Sequence, residues 1–275
     1  MHHFGFIGFG LIGGSVAHAL REQYPDSELM AYNYYITKPH PRLELAAMDG
    51  ILDKITTDLA DFADCDCIFL CAPVIKNIAY LDKLLPYLSK DCLLTDVGSV
   101  KSDILAAVRE HGLCEQFVGG HPMTGSEKTG YESSTDHLLE NAYYIITPTA
   151  RSTPEQIDRI REVALAIGAL PLVLDYHEHD FSVAAISHLP HLVASSLVNL
   201  VHDNDSKDEI MKRLAAGGFK DITRIASSSP VMWEQICMTN TENILTLLKR
   251  YIASLESICD TLEHHDGSAI YRMFE

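Results

Sequence analysis

The sequence has few positively charged residues. It contains 21 Lys and Arg residues against 38 Asp and Glu residues, and its formal net charge at pH 7 is −17. Because binding to a nucleic-acid backbone requires a basic face on the protein, this balance argues against general nucleic-acid binding. An anionic substrate would therefore need Arg, Lys or His side chains placed locally in its site.

The sequence also lacks a run of eighteen apolar residues and an N-terminal segment in which charged residues precede an apolar stretch. A membrane-spanning helix requires such a run, and a secretory signal requires such a segment. We therefore expect no membrane partner and a cytoplasmic location. The mean hydropathy is close to zero and 47% of the 275 residues are hydrophobic, which is typical of a globular chain with a sizeable core.

The seven cysteines do not form a recognisable framework. Their number is odd and the chain is long, which argues against disulfide bonds. Cys65, Cys67 and Cys71 lack the spacing of a zinc knuckle, and the last two lie in an apolar run that predicts a buried strand. His188 and His191 have an H-x-x-H spacing, but the glutamate of HExxH and an obvious third ligand are missing. We therefore expect no metal.

A glycine-rich segment near the N-terminus is the first feature that predicts a function. It follows a short apolar strand over residues 4–7 and precedes a helical segment from Val16, which is the context of a G-x-G-x-x-G dinucleotide fingerprint. Such glycines let a pyrophosphate approach the backbone at a helix N-terminus. The alternative is a glycine-rich turn that only packs a helix on a sheet. The predicted cofactor-binding residues here are Gly8, Gly10, Leu11, Ile12 and Gly13.

The residue at the end of the second predicted strand bears on the choice of cofactor. An acid at this position would bind the ribose 2′-hydroxyl of NAD, but this sequence has Asn33. Asparagine can still hydrogen-bond a hydroxyl, and it does not repel a 2′-phosphate. Lys38 and Arg42 could attract such a phosphate, although basic residues in a loop are more often simply solvated. NAD is therefore the expected cofactor, and NADP stays open.

Strands and helices alternate up to about residue 175, which predicts a parallel, doubly wound sheet. In such sheets ligands bind beyond the carboxyl ends of the strands. We therefore expect residues 8–13, 72–74 and 98–101 and the segment around His121 to share one edge. The further cofactor-binding residues predicted at this edge are Ala72, Pro73, Val74 and Ser99.

Beyond Asp175 the hydrophobic pattern is only helical. We therefore predict the α/β fold class, with an N-terminal doubly wound Rossmann-type domain over residues 1–175 and an all-helical C-terminal domain over residues 176–275. About 100 helical residues make a modest core by themselves. The helical half is therefore expected to dock onto a second copy of the chain and form a homodimer.

Residues 119–127, GGHPMTGSE, place one histidine between a Gly-Gly pair and a proline. This composition is not that of a packed helix, and it predicts a loop of fixed backbone geometry at a strand end. An imidazole held in such a loop can take or give a proton near neutral pH. The alternative for His121 is a surface histidine in a turn.

The helical half contains polar residues that a simple core would not require. Ser187, His188 and His191 open an otherwise apolar helix. Asp221 and Arg224 are three residues apart and would share one face of a helix. They predict either an ordinary surface ion pair or an arginine held in register to bind a carboxylate through two parallel hydrogen bonds.

Five ordered motifs resemble the prephenate/arogenate dehydrogenase family of tyrosine biosynthesis, and the resemblance covers about residues 4–262. Five motifs in one order are far more specific than any one of them. The motifs are GFGLIGGS from Gly8, DVGSVK from Asp96, GGHPMTGSEKTG from Gly119, SHLPH from Ser187 and GGFKDITRIASSSPVMW from Gly217.

The resemblance implies an oxidative decarboxylation. Hydride passes from the ring carbon that bears the hydroxyl of prephenate to the nicotinamide, and loss of CO2 gives 4-hydroxyphenylpyruvate; arogenate would give tyrosine. By the same resemblance His121 accepts the hydroxyl proton, and Ser99 orients His121 and contacts that hydroxyl. The residues implied in binding the substrate carboxylates, or in adjusting the arginine that binds them, are Arg224, His191, Ser187, Asp221 and Glu127.

Two other functions fit parts of the pattern. A β-hydroxyacid or imine-type dehydrogenase would share the domain plan, but such enzymes usually have an acid–base lysine in the helical domain, and the candidates here are His121 and Ser99. Loss of His121 or Arg224 would favour a non-catalytic, dinucleotide-sensing regulator, and both residues are present. The chain has room for neither a chorismate mutase nor an ACT domain, so feedback through an ACT domain is not expected.

Overall fold

The computed structural model describes residues 1–125 and 128–275. These residues form two compact units. The first consists of Met1–Asp180 with Ser229–Gln235, and the second consists of Phe181–Ser228 with Ile236–Glu275. The functional division predicted between residues 175 and 176 stays a prediction.

A parallel sheet of five strands forms the centre of the first unit. Its strands are β1 (His3–Ile7), β2 (Glu28–Tyr32), β3 (Lys54–Thr56), β4 (Cys67–Leu70) and β5 (Leu93–Asp96). They are hydrogen-bonded in the order β3-β2-β1-β4-β5, and every pair is parallel. The order reverses between β1 and β4, which is the position where doubly wound sheets bind their ligands.

Helices cover both faces of this sheet. They are α1 (Leu11–Gln23), α2 (Pro41–Met48), α3 (Val74–Leu84), α4 (Ser102–Glu110) and α5 (Pro154–Ala166), with 3-10 turns at Leu59–Asp64 and Tyr131–Ser133. Alternate residues of β4 belong to different cores. Cys67 and Phe69 pack with α1 and α5, while Ile68 and Leu70 pack with α3 and α4. Burial on both faces explains why β4 is apolar at every position.

A second sheet of three strands follows and corrects two predictions. Its strands are β6 (Val118–Pro122), β7 (Tyr143–Pro148) and β8 (Leu170–Val173). The prediction of an all-parallel sheet was wrong here, because β6 is antiparallel to β7, and only β7 and β8 are parallel. The described residues between β6 and β7 contain no α-helix, and a parallel pair would need a crossover. The loop predicted for His121 was also wrong, because His121 lies within β6 and pairs with Ile145.

The remaining chain is helical, as predicted. Its α-helices are α6 (Tyr176–Val183), α7 (Leu189–Asn204), α8 (Ile210–Leu214), α9 (Gly217–Thr223), α10 (Pro230–Thr239), α11 (Thr241–Glu263) and α12 (Gly267–Phe274). A π-helical turn, Ala184–His188, joins α6 to α7, and a 3-10 turn, Arg224–Ser227, follows α9. Pro190 lacks an N–H and cannot make an α-helical hydrogen bond to residue 186, so the wider π turn accommodates it.

The helical run Tyr176–Asn204 meets a length and composition criterion for a membrane span. Core helices of soluble proteins can have the same length and hydropathy. The run contains His179, Asp180 and His188, which are all buried inside the protein. Length and hydropathy are therefore weak evidence for a membrane span in this chain.

Candidate active site

The turn after β1 requires glycine at its first position. Gly8 has a φ of +91°, in the left-handed region that favours glycine. A Cβ on Gly8 would lie 2.5 Å from the backbone nitrogen of Ala72. The segments that follow β1 and β4 therefore meet at the switch point of the sheet, as the sequence predicts.

The second glycine of the motif borders open space. Gly10 precedes α1, which begins without a side-chain cap, and a Cβ on Gly10 would have no atom within 4 Å. A Cβ on Gly13 would instead lie 2.8 Å from the carbonyl oxygen of Gly8, so Gly13 permits the close packing of the turn on α1. Uncapped N–H groups beside open space fit the pyrophosphate of a dinucleotide.

Replacing Gly10 by Ala should weaken cofactor binding without unfolding the protein. The added methyl group meets no protein atom but occupies the space where a pyrophosphate would approach the backbone. At an overpacking cost of about 1–3 kcal/mol, the KM for the cofactor should rise roughly 5- to 150-fold in initial-rate measurements. Gly267→Ala is the matched control, because its methyl group also meets no atom. An unchanged KM in Gly10→Ala would exclude this turn from cofactor binding.

The segment after β5 joins the same edge. A Cβ on Gly98 would lie 3.1 Å from Cγ2 of Val74, so the two segments are in contact. The buried Asn77 supports residues 72–74, because its Oδ1 accepts from the backbone N–H of Ala72 at 3.1 Å and its Nδ2 donates to a carbonyl of β4 at 3.0 Å. Three of the four predicted segments therefore meet here.

Asn33 is used to shape its own loop. Its Nδ2 donates to the carbonyl of Lys38 at 3.0 Å, and its Oδ1 accepts from the backbone N–H of Tyr35 at 2.8 Å. The ammonium of Lys38 lies 4.5 Å from the centroid of the Tyr35 ring, and Arg42 pairs with Glu132 at 3.1 Å. Both basic side chains that could attract a 2′-phosphate therefore already have partners.

A buried ion pair attaches this edge to β6. Nζ of Lys101 donates to Oδ2 of Asp96, and these side chains are 0% and 1% exposed. Nζ also donates to the carbonyl of Gly120 at 2.7 Å, and the N–H of Gly120 donates to Oδ1 of Asp96 at 3.2 Å. Burial lowers the pKa of Lys101, and the charge of Asp96 opposes that effect. The segment around His121 is therefore held against the segment that follows β5.

His121 is buried in β6, and the two glycines before it allow a close approach of strands. A Cβ on Gly119 would lie 2.3 Å from Oγ1 of Thr147, and one on Gly120 would lie 2.6 Å from the hydroxyl of Tyr144. Gly119 and Gly120 therefore allow Thr147 and Tyr144 to pack closely against β6, and they do not form a turn. This packing fixes the backbone of His121 more firmly than a loop would.

Two buried residues of α6 hydrogen-bond to His121 in series. Nδ1 of His121 lies 2.8 Å from Nε2 of His179, with the rings nearly perpendicular at 82°. Nδ1 of His179 lies 2.8 Å from Oδ1 of Asp180. We call this arrangement the His121–His179–Asp180 relay.

Asp180 is anchored at the start of α4. Its Oδ1 accepts from the N–H of Lys101 at 2.8 Å, and its Oδ2 accepts from the N–H of Ser102 at 2.8 Å and from the Ser102 hydroxyl at 2.5 Å. Burial by itself would raise the pKa of Asp180, but hydrogen bonds from His179, Ser102 and Lys101 outweigh it, and the pKa lies below its usual value. Asp180 is therefore an ionised carboxylate that only accepts hydrogen bonds.

Ser99 lies half-buried in the loop between β5 and α4. Among the residues that the structure describes, its side chain makes no hydrogen bond to His121, whereas His179 does. The orienting role of Ser99 stays a prediction.

In the helical unit, the π turn brings Ser187 and His191 together. Nδ1 of His191 lies 2.9 Å from the carbonyl oxygen of Ser187. His188 is buried instead, and Nδ2 of Asn240 lies 3.2 Å from its Nδ1. His188 therefore belongs to the core of the unit, while Ser187 and His191 are half-buried.

Arg224 begins the 3-10 turn that packs against α7, and its side chain is exposed. Asp221 is exposed near the end of α9. Within residues 1–125 and 128–275, Asp221 and Arg224 do not form the surface ion pair that the sequence left open. Glu127 lies outside the described residues, and its role stays a prediction.

Sequence reasoning missed His179 and Asp180. The only signal for them was the run His177-Glu178-His179-Asp180, a cluster of titratable residues directly after the last strand. Asp96 and Lys101 were part of a motif, but no role was predicted for either. An acid at a strand end with a lysine five residues later was the available signal.

Comparison with protein families identifies most of the chain. Residues 16–172 match the nucleotide-binding domain of prephenate dehydrogenase, and residues 175–275 match its dimerization domain. The chain belongs to the prephenate dehydrogenase family. The predicted fold, a Rossmann-type domain followed by a helical domain, is therefore confirmed for this family member.

Individual relatives agree with this assignment. The chain is 34% identical to the prephenate dehydrogenase of Bacillus subtilis, over 98% of this chain and 72% of the relative. The prephenate dehydrogenase of A. aeolicus, solved with hydroxyphenyl propionate and NAD+, has a TM-score of 0.87 and 32% identity over 99% of this chain and 98% of that one. Synechocystis arogenate dehydrogenase has a TM-score of 0.86 and 29% identity over 99% and 96%.

Proposed function

We propose that this protein is an NAD-dependent prephenate dehydrogenase that converts prephenate to 4-hydroxyphenylpyruvate in tyrosine biosynthesis. One observation carries the proposal beyond family membership. A buried histidine, His121, lies at the edge shared by the dinucleotide turn and the loop after β5, and it is hydrogen-bonded to a second histidine and a carboxylate. This arrangement suits a general base next to a bound nicotinamide.

The proton balance of the reaction assigns two steps to His121. Bound NAD+ supplies the acceptor for the hydride from the ring carbon. The prephenate dianion then loses CO2 and becomes the 4-hydroxyphenylpyruvate monoanion, so no net proton is released. The proton that His121 accepts from the ring hydroxyl therefore returns to the same oxygen when the ring becomes aromatic. His121 acts first as a base and then as an acid.

The residues proposed to hold the dinucleotide are those of the shared edge. They are Gly8, Gly10, Leu11, Ile12, Gly13, Asn33, Ala72, Pro73, Val74 and Ser99. NAD is favoured because Lys38 and Arg42 are already paired and because the A. aeolicus relative was solved with NAD+. NADP is the second candidate, since Asn33 brings no charge that would repel a 2′-phosphate.

The substrate carboxylates are proposed to be bound by the helical half, through Arg224, His191 and Ser187, with Asp221 and Glu127 adjusting the arginine. A guanidinium binds a carboxylate through two parallel hydrogen bonds, and it offsets the net negative charge of the chain. Arogenate is the second candidate substrate, because the Synechocystis relative is an arogenate dehydrogenase.

We also propose a homodimer formed through the helical half. The match to a dimerization domain supports it, as do large apolar side chains exposed on that half, such as Leu214, Ile222 and Met238. Light scattering should give twice the chain mass of 30.5 kDa. The cytoplasmic location stays a prediction.

Initial rates with prephenate and arogenate, each crossed with NAD+ and NADP+, test the proposed function. We expect reduced cofactor to form fastest with prephenate and NAD+, measured by absorbance at 340 nm. A panel of 2-hydroxy acids serves as the control for the alternative dehydrogenase. Turnover of hydroxy acids without turnover of prephenate or arogenate would refute the proposal.

Replacing Arg224 by Ala should raise the KM for prephenate much more than it lowers kcat. A hydrogen bond to a charged group contributes about 1.5–3 kcal/mol, so the KM should rise roughly 10- to 150-fold. Arg213→Ala is the matched control, because Arg213 is also exposed in the helical unit and has no proposed role. If both variants keep the original KM, Arg224 is not a carboxylate ligand.

A further inference from the structure

We infer that His179 is a positioning residue for the reaction: together with Asp180 it holds His121 in the tautomer whose lone pair is on Nε2. The inference rests on the proposed function, because that function makes His121 the base. It goes beyond that function because it assigns a role to the buried residues that hydrogen-bond to His121, and not to His121 itself.

The direction of each hydrogen bond in the relay follows from Asp180. This carboxylate is ionised and can only accept, so the proton between it and His179 lies on Nδ1 of His179. A neutral imidazole with a proton on Nδ1 is an acceptor at Nε2. The 2.8 Å contact to His121 therefore requires a proton on Nδ1 of His121, which leaves the lone pair of that ring on Nε2.

The anchoring of Asp180 keeps this direction fixed. Its two oxygens accept three hydrogen bonds from Lys101 and Ser102 in addition to the contact with His179. These donors lie at the start of α4, directly after the loop that carries Ser99. The carboxylate is thus held in place by the first unit itself, and the second histidine cannot turn away without losing a buried partner.

The charges around His179 favour a protonated His121 during the reaction. His179 hydrogen-bonds to Asp180, and Asp180 interacts electrostatically with Lys101 and Asp103. Lys101 and Asp96 form an ion pair and cancel. Asp103, whose pKa is raised by burial and by Asp180, adds a second carboxyl. The net negative charge supports the imidazolium that forms when the substrate hydroxyl gives up its proton.

Protonation of His179 would reverse the relay. Nε2 of His179 would then donate to Nδ1 of His121, and the remaining proton of a neutral His121 would lie on Nε2, where it blocks the base. The relay thus requires the neutral form of His179.

Kinetics of His179→Leu and His179→Gln test the inference. Leu removes both hydrogen bonds, whereas Gln keeps a donor for Asp180 and an acceptor for His121. We expect His179→Leu to lower kcat roughly 10- to 100-fold with little change in the KM for prephenate, and His179→Gln to recover part of this loss. Because the acceptor of His179 stabilises protonated His121, the acid limb of the kcat profile should move to lower pH in His179→Leu, by roughly one unit.

The matched control is His177→Leu, an exposed histidine on the same helix, which should change neither kcat nor the pH profile. A loss of activity in His179→Leu with an unmoved acid limb and no recovery by Gln would mean a merely structural role and would overturn the inference. Failure of the wild-type protein to oxidise prephenate or arogenate would instead refute the proposed function.

A measurement on the wild-type protein does not depend on the folding of any variant. Nitrogen-15 NMR of histidine-labelled protein distinguishes the two neutral tautomers, and His121→Asn assigns the signal of His121. We expect His121 to carry its proton on Nδ1 near neutral pH. A proton on Nε2 of neutral His121 would contradict the relay directly.

Discussion

Replacing His121 by Asn should lower the kcat for prephenate oxidation by about 10²–10⁴, the usual contribution of a general base. The amide of Asn is polar and small enough for the site, but it cannot accept the proton of the ring hydroxyl. Prephenate binding should persist, because the carboxylates are proposed to be bound elsewhere. The measurement is kcat and KM with saturating NAD+, together with binding of prephenate by calorimetry.

His202→Asn is the matched control for this variant. His202 is a largely exposed histidine of α7, with a side chain that is 85% exposed, so its loss should leave kcat unchanged. If His121→Asn retains a kcat within a factor of about two of the wild type, His121 is not the base. The positioning role of His179 would then fail as well, because the orientation of His121 affects the rate only if His121 takes part in the reaction.

The parallel sheet could be predicted from sequence because its signals are local. Most of the first five strands are short apolar runs followed by a turn and a helical pattern, and the first of them, predicted over residues 4–7, forms at His3–Ile7. The convergence of the segments that follow them is a general property of parallel sheets. No long-range contact had to be known.

The strand that carries His121 could not be predicted in the same way. Gly119, Gly120 and Pro122 are typical of loops, and only the packing against Tyr144 and Thr147 explains why glycines occur inside a strand. That packing depends on residues more than twenty positions away. The local composition therefore predicted the right residue in the wrong element.

The His121–His179–Asp180 relay could not be predicted from the sequence for a related reason. His121 and His179 are 58 residues apart, and nothing in the sequence around His179 distinguishes it from an exposed histidine such as His177. Burial and the hydrogen bond to Asp180 are what make it part of the site. The sequence therefore indicates the residue that can transfer a proton, His121, more readily than the residues that hold it in place.

The second large effect is expected when the buried ion pair of Lys101 and Asp96 is broken. Replacing Lys101 by Met should lower the free energy of unfolding by about 3–5 kcal/mol, because it leaves the Asp96 carboxylate buried without its counter-ion. Urea unfolding followed by circular dichroism measures the change. Lys54→Met is the matched control, since Lys54 pairs with Asp61 at 3.1 Å on the surface and such pairs contribute at most about 1 kcal/mol.

The double variant Lys101→Met with Asp96→Asn separates the charge from the shape of this contact. Asn removes the uncompensated charge and keeps one acceptor oxygen for the N–H of Gly98 or Gly120, so part of the lost stability should return. Catalysis should not return with it. Nζ of Lys101 also fixes the carbonyl of Gly120, the residue before His121, so the double variant should stay impaired in kcat after stability has recovered. Full recovery of both would mean that Lys101 stabilises the fold without positioning the base.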